Sequence, residues 1–283
     1  MTAKHMNLII QAAHDIPSAQ LQFIAGLALT KHTEQIAAHA YRMHDARPQD
    51  GIAAYCHEHQ LDYGFVAPHQ KLSDIGLLVM DMDSTLISIE CIDEIADMYR
   101  LKPKVAAITE SAMRGEIDFA ESLRRRVALL KGLDESALQR VYDERLKLSP
   151  GAEVMLGELK RCGIKTLLLS GGFVFFTERL KQRLGLDFTH ANELEIIGGK
   201  LSGNLLGPIL DAQGKADRLV QTRQELNLGP EQVIAVGDGA NDLKMMAQAG
   251  VSIAYHAKPM VRAQASYALN FVGMDGLVHL FAE

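Results

Sequence analysis

The chain has 283 residues, of which 48% are apolar and 23% charged, with a net charge of −6 and a pI of about 6.0. This composition is typical of a globular protein with enough apolar residues for one large domain or two smaller ones. The acidic balance argues against a nucleic-acid or anionic-membrane partner, and no apolar stretch approaches the roughly 18 residues of a membrane span.

The first 70 or so residues differ from the rest. "MNLIIQA" predicts a strand, residues 17–32 and 33–46 predict two helices, and residues 61–74 resemble a linker. The three cysteines are far apart and show no metal-binding spacing, and the N-terminus shows no signal-peptide pattern. We therefore expect free thiols in a reducing compartment and a cytoplasmic location.

From residue 75 the pattern becomes that of an α/β domain. Short, continuous apolar runs recur at 76–80, 165–169, 232–236, 251–255 and 268–272. Helical stretches separate them, such as 152–163 and 217–229, the second with Gly229 as a predicted C-cap. Continuous apolar strands alternating with helices predict a parallel sheet covered on both faces. Residues 193–207 instead predict a hairpin that turns at Gly198 and Gly199.

Residues 88 to about 148 contain several helical patterns and no strand-like run. This segment follows directly after the first apolar run of the α/β region. A helical insert at that point lies above the carboxyl end of the first strand, where open α/β sheets bind ligands. We therefore expect the insert to cover the functional site.

Polar residues follow three of the predicted strands. Asp81 and Asp83 follow the first strand, and Ser170, Gly171 and Gly172 follow the second. A third group follows residues 232–236 and comprises Asp238, Asn241 and Asp242. Because parallel strands end at one edge of a sheet, we expect all three groups to meet in one site. Each motif alone is weak evidence; their order along the chain, with Lys215 between the last two, favours a shared site.

Four carboxylates in one site would repel one another and raise each other's pKa unless a cation neutralised them. Oxygen ligands without thiolate or imidazole suit Mg²⁺, which keeps water and a substrate phosphate in its shell. Glycine turns expose backbone N–H groups to phosphate oxygens, and Lys215 can add positive charge. The site is therefore predicted to bind a phosphoryl group and Mg²⁺.

These motifs resemble a known family. "DMDSTL", "SGGF", Lys215 and "GDGANDLKMM" are similar to the four motifs of the haloacid dehalogenase (HAD) superfamily of phosphatases. Within it the chain resembles the phosphoserine phosphatases, on "ECIDEIA" (90–96), "AMRGEIDFAESLRRRVALLKG" (112–132), "ANELEI" (191–196) and "AYHAKP" (254–259). The resemblance covers residues 75–283.

The resemblance implies an α/β fold with a HAD-type Rossmann-like parallel sheet and a helical cap at about 88–148. Residues 1–70 match less clearly, and they resemble the N-terminal extension of some family members, a small α+β domain that is ACT-like and regulatory in some. The implied activity is Mg²⁺-dependent hydrolysis of O-phosphoserine to serine and phosphate through an aspartyl-phosphate, the last step of serine biosynthesis.

The family also implies roles for individual residues. Asp81 would be the nucleophile, and Asp83 would protonate the leaving oxygen and then deprotonate water. The implied Mg²⁺ ligands are the side chains of Asp81, Asp238 and Asp242 and the backbone carbonyl of Asp83. The implied phosphate-binding residues are Ser170, Gly171, Lys215 and Asn241. Glu90 would bind the substrate ammonium and Arg126 its carboxylate, with Met113 and Phe119 as apolar lid residues.

Other interpretations stay open. The enzyme could act on another small phosphomonoester, or transfer the phosphoryl group to an alcohol. A receiver-like switch, in which the Asp81 phosphate is a signal, is disfavoured by Asp83 and the cap. Residues 1–70 could bind an amino-acid regulator or form a homodimer interface, and the sequence does not decide between them.

Overall fold

The computed structural model describes residues 6–282. Its first part is built from six elements, β1 (Met6–Gln11), α1 (Ser18–Leu27), β2 (His32–Ala37), β3 (Ala40–Ala46), α2 (Ile52–Glu58) and β4 (Asp62–Val66). The four strands form an antiparallel sheet in the order β2-β3-β1-β4. This unit has an apolar core of its own, centred on Leu8, Ile10, Ile24 and Met43.

Two predictions for this part of the chain were wrong. Residues 33–46 form the β2–β3 hairpin rather than a helix, because pairing with β1 outweighs the helix propensity of an alanine-rich segment. The connection at Ala38 and His39 contains no glycine, proline or asparagine, so no turn signal marked it. Residues 61–74 are not a linker throughout, since β4 is an ordered strand paired with β1.

The second sheet has seven strands. They are β5 (Leu77–Met80), β6 (Lys165–Phe173), β7 (Phe188–Ile197), β8 (Lys200–Leu206), β9 (Val233–Gly237), β10 (Val251–Tyr255) and β11 (Tyr267–Leu269). Their order is β11-β10-β9-β5-β6-β7-β8, and all neighbours are parallel except β7 and β8, which form the predicted hairpin. The last predicted strand is shorter than expected, because residues 270–272 leave the sheet as a loop.

Both faces of this sheet are buried, as the continuous apolar runs predicted. Leu78 and Met80 of β5 pack into one apolar cluster, while Leu77 and Val79 pack into another on the opposite face. The alternation follows from the two-residue period of a strand. β5 therefore lies in the middle of the sheet and delivers the residue after Met80 to its carboxyl edge.

Helices surround this sheet and cover its edge. The insert contains α3 (Cys91–Met98), α4 (Lys102–Met113), α5 (Phe119–Ala128) and α6 (Ser136–Glu144). The remaining helices are α7 (Ala152–Arg161), α8 (Val174–Leu184), α9 (Ala212–Glu225), α10 (Leu243–Met246) and α11 (Pro259–Arg262). Gly229 is not a C-cap, since α9 ends at Glu225 and the left-handed residue after it is Asn227. Between residues 6 and 282, none of the helices combines the length and the apolar character that a bilayer crossing requires.

Candidate active site

The end of β5 turns sharply to present two carboxylates. Asp81 is extended and accepts a hydrogen bond from the Met82 N–H to its Oδ1 at 2.8 Å. The tight turn over Met82–Leu86 contains Ser84 in the left-handed region, with φ of 56°. Asp81 and Asp83 precede this residue, and both line the same cavity.

A buried lysine joins the first and last motifs. Lys215, on α9, donates to Asp81 Oδ1 at 2.6 Å and to Asp242 Oδ1 at 2.8 Å. All three side chains are buried. Burial would lower the pKa of Lys215, but the charges of Asp242 and Asp81 outweigh it, so the pKa is raised and the ammonium stays protonated. Two carboxylates and one ammonium leave the cluster with a net negative charge.

A third carboxylate completes an oxygen cluster. Asp238, after β9, accepts a hydrogen bond from Thr85 Oγ1 at 3.1 Å. One carboxylate oxygen from each of Asp81, Asp238 and Asp242 lies within 4.8 Å of the other two. Burial first, and then the charge of Asp242, raises the pKa of Asp81 well above its ordinary value and that of Asp238 to about 6. Three hard carboxylate oxygen donors this close together fit a divalent cation such as Mg²⁺.

The irregular end of β6, Ser170 to Gly172, forms a loop-like segment that lies against the second carboxylate. Asp83 Oδ1 accepts from the Cys91 N–H at 2.9 Å, and its Oδ2 lies 3.5 Å from Ser170 Oγ, the limit of a hydrogen bond. Ser170 Oγ in turn accepts from the Gly172 N–H at 2.8 Å. A Cβ on Gly172 would lie 2.8 Å from Asp83 Oδ2, so only glycine allows this approach. Burial raises the pKa of Asp83, while the Cys91 hydrogen bonds oppose the shift.

Asn192 supports this loop from the neighbouring strand. Its side-chain amide donates to the Gly171 carbonyl at 2.9 Å, and its Oδ1 accepts from the Leu210 N–H at 2.7 Å. The side chain is buried, so both of its polar ends are satisfied inside the protein. Asn192 belongs to the "ANELEI" segment, yet no role was predicted for it. No strand-end signal marked it, because β7 begins with Phe188, Thr189 and His190 rather than with a continuous apolar run.

The site opens into a cavity of about 470 Å³ between the sheet edge and the cap helices. The predicted site residues on its wall are Asp81, Asp83, Glu90, Met113, Phe119, Arg126, Gly171, Asp238 and Asn241. Ser170, Lys215 and Asp242 are fully or almost fully buried and lie behind this wall. The cavity therefore has an acidic floor at the sheet edge and a mixed wall on the cap.

The cap contributes one carboxylate and one guanidinium to the wall. Glu90 accepts from Ser84 Oγ at 2.7 Å, and its enclosure among cavity walls, followed by the charge of Asp83, raises its pKa to about 7 although water still reaches it. Arg126 is half-buried and lines the cavity, whereas Arg124 and Arg125 are exposed and face Glu121. The structure thus distinguishes among three consecutive arginines that the sequence pattern left equivalent.

The two predicted lid residues differ in environment. Phe119, at the start of α5, lies over the Ser170–Gly172 segment: a Cβ on Gly171 would be 3.0 Å from the Phe119 ring. Met113, at the end of α4, lines the cavity but is 69% exposed. Phe119 therefore already contacts the sheet edge, whereas Met113 stands at the open rim.

Two charged residues on the wall received no predicted role. Asp93 lies one helical turn after Glu90, a spacing that places both on one face, and this was a readable signal. Lys258 follows β10, and its backbone N–H donates to the Asp238 carbonyl at 3.3 Å. A fourth strand end therefore contributes to the site besides the three that the motifs indicated.

A family profile described as haloacid dehalogenase-like hydrolase matches residues 75–250. The chain belongs to this family. The matched region contains all the residues of the carboxylate cluster, from Asp81 after β5 to Asp242 after β9. The HAD fold expected from the sequence is thereby confirmed.

Curated relatives within the HAD family are named phosphoserine phosphatases. The protein from Polaromonas sp. is 53% identical over 218 residues, which are 75% of this chain and 92% of that protein. The one from Albidiferax ferrireducens is 51% identical over 220 residues, 76% of this chain and 93% of that protein. These matches leave about a quarter of this chain uncovered.

Two solved structures match nearly the whole chain. A HAD family hydrolase from Salmonella enterica serovar Typhi has a TM-score of 0.87 and 35% identity over 98% of this chain and 99% of its own. A probable phosphoserine phosphatase from Vibrio cholerae, in unliganded form, has a TM-score of 0.86 and 38% identity, covering 98% and 86%. The resemblance therefore extends into the N-terminal sheet.

Proposed function

We propose that this HAD phosphatase hydrolyses O-phosphoserine to serine and phosphate, as the last step of serine biosynthesis. The names of its relatives support the substrate. The observation that carries the proposal is one cavity that unites Asp81 and Asp83 with Glu90 and Arg126. Phosphoserine carries a phosphate, an ammonium and a carboxylate, and these four residues can accommodate all three groups.

Mg²⁺ fits the oxygen cluster. Asp81, Asp238 and Asp242 would hold it through carboxylate oxygens, with the Asp83 backbone carbonyl as a further ligand. When bound, the cation neutralises charge on the phosphoryl oxygens and on the carboxylates around it. The hydrogen bond from Thr85 to Asp238 supports this assignment, because it leaves the other Asp238 oxygen free to act as a ligand.

Asp81 is the proposed nucleophile. One of its carboxylate oxygens attacks phosphorus in line, and the bond from phosphorus to the serine oxygen breaks. Lys215 touches Asp81 Oδ1, so its ammonium can stabilise negative charge that develops on the transferred group. The bond formed is an acyl phosphate, which splits a slow hydrolysis into two steps.

Asp83 is the proposed general acid and base. It donates a proton to the departing serine oxygen, then accepts one from the water that attacks the acyl phosphate. Its raised pKa favours holding that proton before the first step. The Cys91 N–H fixes one carboxylate oxygen and leaves the other facing Ser170 and the cavity. A carboxylate that can return the proton also favours rapid loss of the phosphoryl group over a lasting signal.

The proposed phosphate and substrate contacts come from the cavity wall and from the buried residues directly behind it. Ser170, the Gly171 N–H and Lys215 would hold phosphoryl oxygens, with Asn241 orienting the phosphoryl group or water. Glu90 would pair with the substrate ammonium, and Arg126 with its carboxylate through two parallel N–H donors. Phe119 and Met113 would exclude water when the cap closes on the substrate.

A substrate panel tests this proposal. Purified protein is assayed with O-phosphoserine, phosphothreonine, glycerol phosphate and an aryl phosphate, with and without added homoserine. We expect phosphoserine to have the highest kcat/KM, with free phosphate as the product. A different preferred phosphomonoester would refute the substrate, and phosphohomoserine as the main product would establish a phosphotransferase. An aspartyl-phosphate that persists for minutes would instead support a receiver-like switch.

The division of the chain is also a proposal. Separate sheets and a separate apolar core support an N-terminal domain to about residue 70 and a phosphatase domain over 75–283 with its cap at about 88–148. The strand order of the small sheet agrees with an ACT-like domain. Pairing into homodimers and a cytoplasmic location stay predictions, which light scattering and cell fractionation can test.

A further inference from the structure

Asp62, the first residue of β4, is a carboxylate of the N-terminal sheet that lies almost fully buried, 1% exposed, against the second sheet. It accepts four hydrogen bonds from the loop after β11. Asn270 donates to Oδ1 through its backbone N–H at 2.8 Å and through its side chain at 3.1 Å. Phe271 and Val272 donate to Oδ2 through backbone N–H groups at 2.8 and 3.0 Å.

A buried carboxylate is stable only when its oxygens are fully hydrogen-bonded. Here each oxygen has two donors, and three of the four donors are consecutive backbone N–H groups. One backbone conformation of residues 270–272 satisfies all four hydrogen bonds at once. Asp62 therefore fixes this loop from a position more than 200 residues earlier in the chain.

One path leads from this loop to the active site through His256. The His256 ring donates from Nε2 to the Val272 carbonyl at 3.0 Å, and its backbone N–H donates to the Leu269 carbonyl at 2.7 Å. His256 is left-handed, with φ of 43°, a conformation that a non-glycine residue keeps only when its surroundings hold it. Two residues later, Lys258 donates to the Asp238 carbonyl and lines the cavity.

A second path runs through the end of the cap. The Met274 N–H donates to the Pro150 carbonyl at 2.7 Å. The preceding residue, Ser149, donates from Oγ to the Thr85 carbonyl at 2.6 Å. Thr85 in turn donates to the Asp238 carboxylate. The loop held by Asp62 is thus connected to both the backbone and the side chain of Asp238.

We propose that Asp62 is a positioning residue for the reaction: through residues 270–274 it holds Asp238 and Lys258 in place. Through Asp62, the N-terminal sheet then helps to hold residues of the cavity wall in place. Only the expected change in phosphatase kinetics rests on the proposed function. The ordering of Asp238 and the affinity of the site for Mg²⁺ do not depend on the substrate.

The variant Asp62→Asn tests this role, and Arg42→Ala is its matched control. Asparagine keeps the size of the side chain but places an NH₂ group against N–H donors. Arg42 makes another contact across the same interface, a hydrogen bond from Nη2 to the Phe281 carbonyl at 2.8 Å, which is not with residues 270–274. Asp62→Asn disturbs two of the four hydrogen bonds to Asp62 and Arg42→Ala removes one elsewhere on the interface, so a general loosening would affect both variants.

Hydrogen exchange in metal-free protein is the first readout. We expect Asp62→Asn to speed exchange at the amides of Asn270, Phe271 and Val272 and also at Lys258, roughly tenfold or more. In Arg42→Ala, exchange at Lys258 should stay as in the wild type. Equal exchange at Lys258 in the two variants would overturn the proposal.

Mg²⁺ titration calorimetry without substrate is the second readout. Partners that orient a metal ligand contribute about 10- to 100-fold in affinity, so we expect Asp62→Asn, acting from further away, to weaken binding by roughly 3- to 10-fold. In the phosphatase assay the Mg²⁺ concentration at half-maximal activity should rise by the same factor, with kcat at saturating Mg²⁺ changing less. Unchanged Mg²⁺ affinity would refute the role of Asp62. Altered Mg²⁺ affinity without phosphoserine turnover would instead refute the proposed substrate.

His256→Asn removes the contact between His256 and the Val272 carbonyl and leaves Asp62 unchanged. It tests the same path if Asp62→Asn does not fold. Asparagine tolerates the left-handed conformation but is too short to reach the Val272 carbonyl. We expect faster exchange at Lys258 with residues 270–272 still protected by Asp62, and weaker Mg²⁺ binding. In the double variant, the fold-changes in Lys258 exchange and in Mg²⁺ affinity should be smaller than the product of those in the two single variants, because both residues act on one path. Wild-type exchange at Lys258 in His256→Asn would overturn the proposal.

Discussion

Replacing Arg126 by alanine tests whether the cavity recognises a substrate carboxylate. Breaking a fully desolvated, hydrogen-bonded charge pair costs about 2–5 kcal/mol. Arg126 is half-buried on the wall of an open cavity, and burial is the main cause that lowers its pKa. We therefore take the lower part of that range, about 2–3 kcal/mol. This corresponds to a loss of roughly 30- to 150-fold in kcat/KM for phosphoserine.

The assay compares kcat/KM for phosphoserine and for an aryl phosphate in Arg124→Ala, Arg125→Ala and Arg126→Ala. An aryl phosphate has no carboxylate, so its hydrolysis should change less than threefold in Arg126→Ala, an order-of-magnitude expectation for a lost charge with no partner. Arg124 and Arg125 are exposed and face Glu121, so their loss should leave both substrates within about twofold of the wild type.

Three results would contradict this reasoning. Equal losses on both substrates in Arg126→Ala would mean that Arg126 supports the cap or the phosphate site. An unchanged kcat/KM for phosphoserine would remove Arg126 from the site and, with it, much of the support for this substrate. A larger effect at Arg124 or Arg125 would contradict the orientation of α5.

Asp81→Asn should abolish turnover while the protein stays folded, because an amide is a poor nucleophile; normal activity with an unaltered circular dichroism spectrum would contradict the mechanism. Activity should vanish in EDTA and return with Mg²⁺, and Ca²⁺ should inhibit because its larger, flexible shell can hold both Asp81 oxygens; full activity in metal-free buffer would exclude the assigned site. In the folded protein, burial raises the pKa of Glu90 from 4.5 to about 7. As the pH rises, Glu90 therefore loses its proton in the unfolded chain before it does so in the folded protein. Relative to Glu90→Gln, the metal-free wild type should therefore lose thermal stability as pH rises through that window, and a gain in differential scanning calorimetry would refute the shift.

The residue types that meet in the site could be predicted from the sequence, because they follow directly after predicted strands. Each of β5, β6 and β9 contains a continuous apolar run, and the residue that follows this run must emerge at the carboxyl edge of a parallel sheet. Asp81, Ser170 and Asp238 could therefore be assigned to one edge before any contact was known. The helical insert was readable for the same reason, since it interrupts the alternation directly after β5.

Secondary structure was predicted wrongly where pairing partners outweighed local propensity. The segment at 33–46 has the spacing and alanine content of a helix, yet β1 holds it as a strand, and its turn carries no recognisable residue. The strand β4 was mistaken for a linker because it is short and contains Gly64, which lies against Tyr267 and Leu280. A Cβ at Gly64 would lie 3.0 Å from both of these side chains, so this glycine serves a close-packed interface rather than a turn.

The sequence by itself determined the order of the motifs, the α/β class, the cap and the chemical nature of the site, because these depend on residue type and on spacing within a single element. Spacing left three consecutive arginines equivalent, and only the family resemblance singled out Arg126, which the tertiary structure places on the cavity wall. Only the tertiary structure decided that Lys215 lies buried between Asp81 and Asp242 and that Asp62 holds the loop at 270–272. Each of these is a contact between residues far apart in the chain. Such contacts are selected by the packing of whole elements, and spacing along the sequence does not encode them.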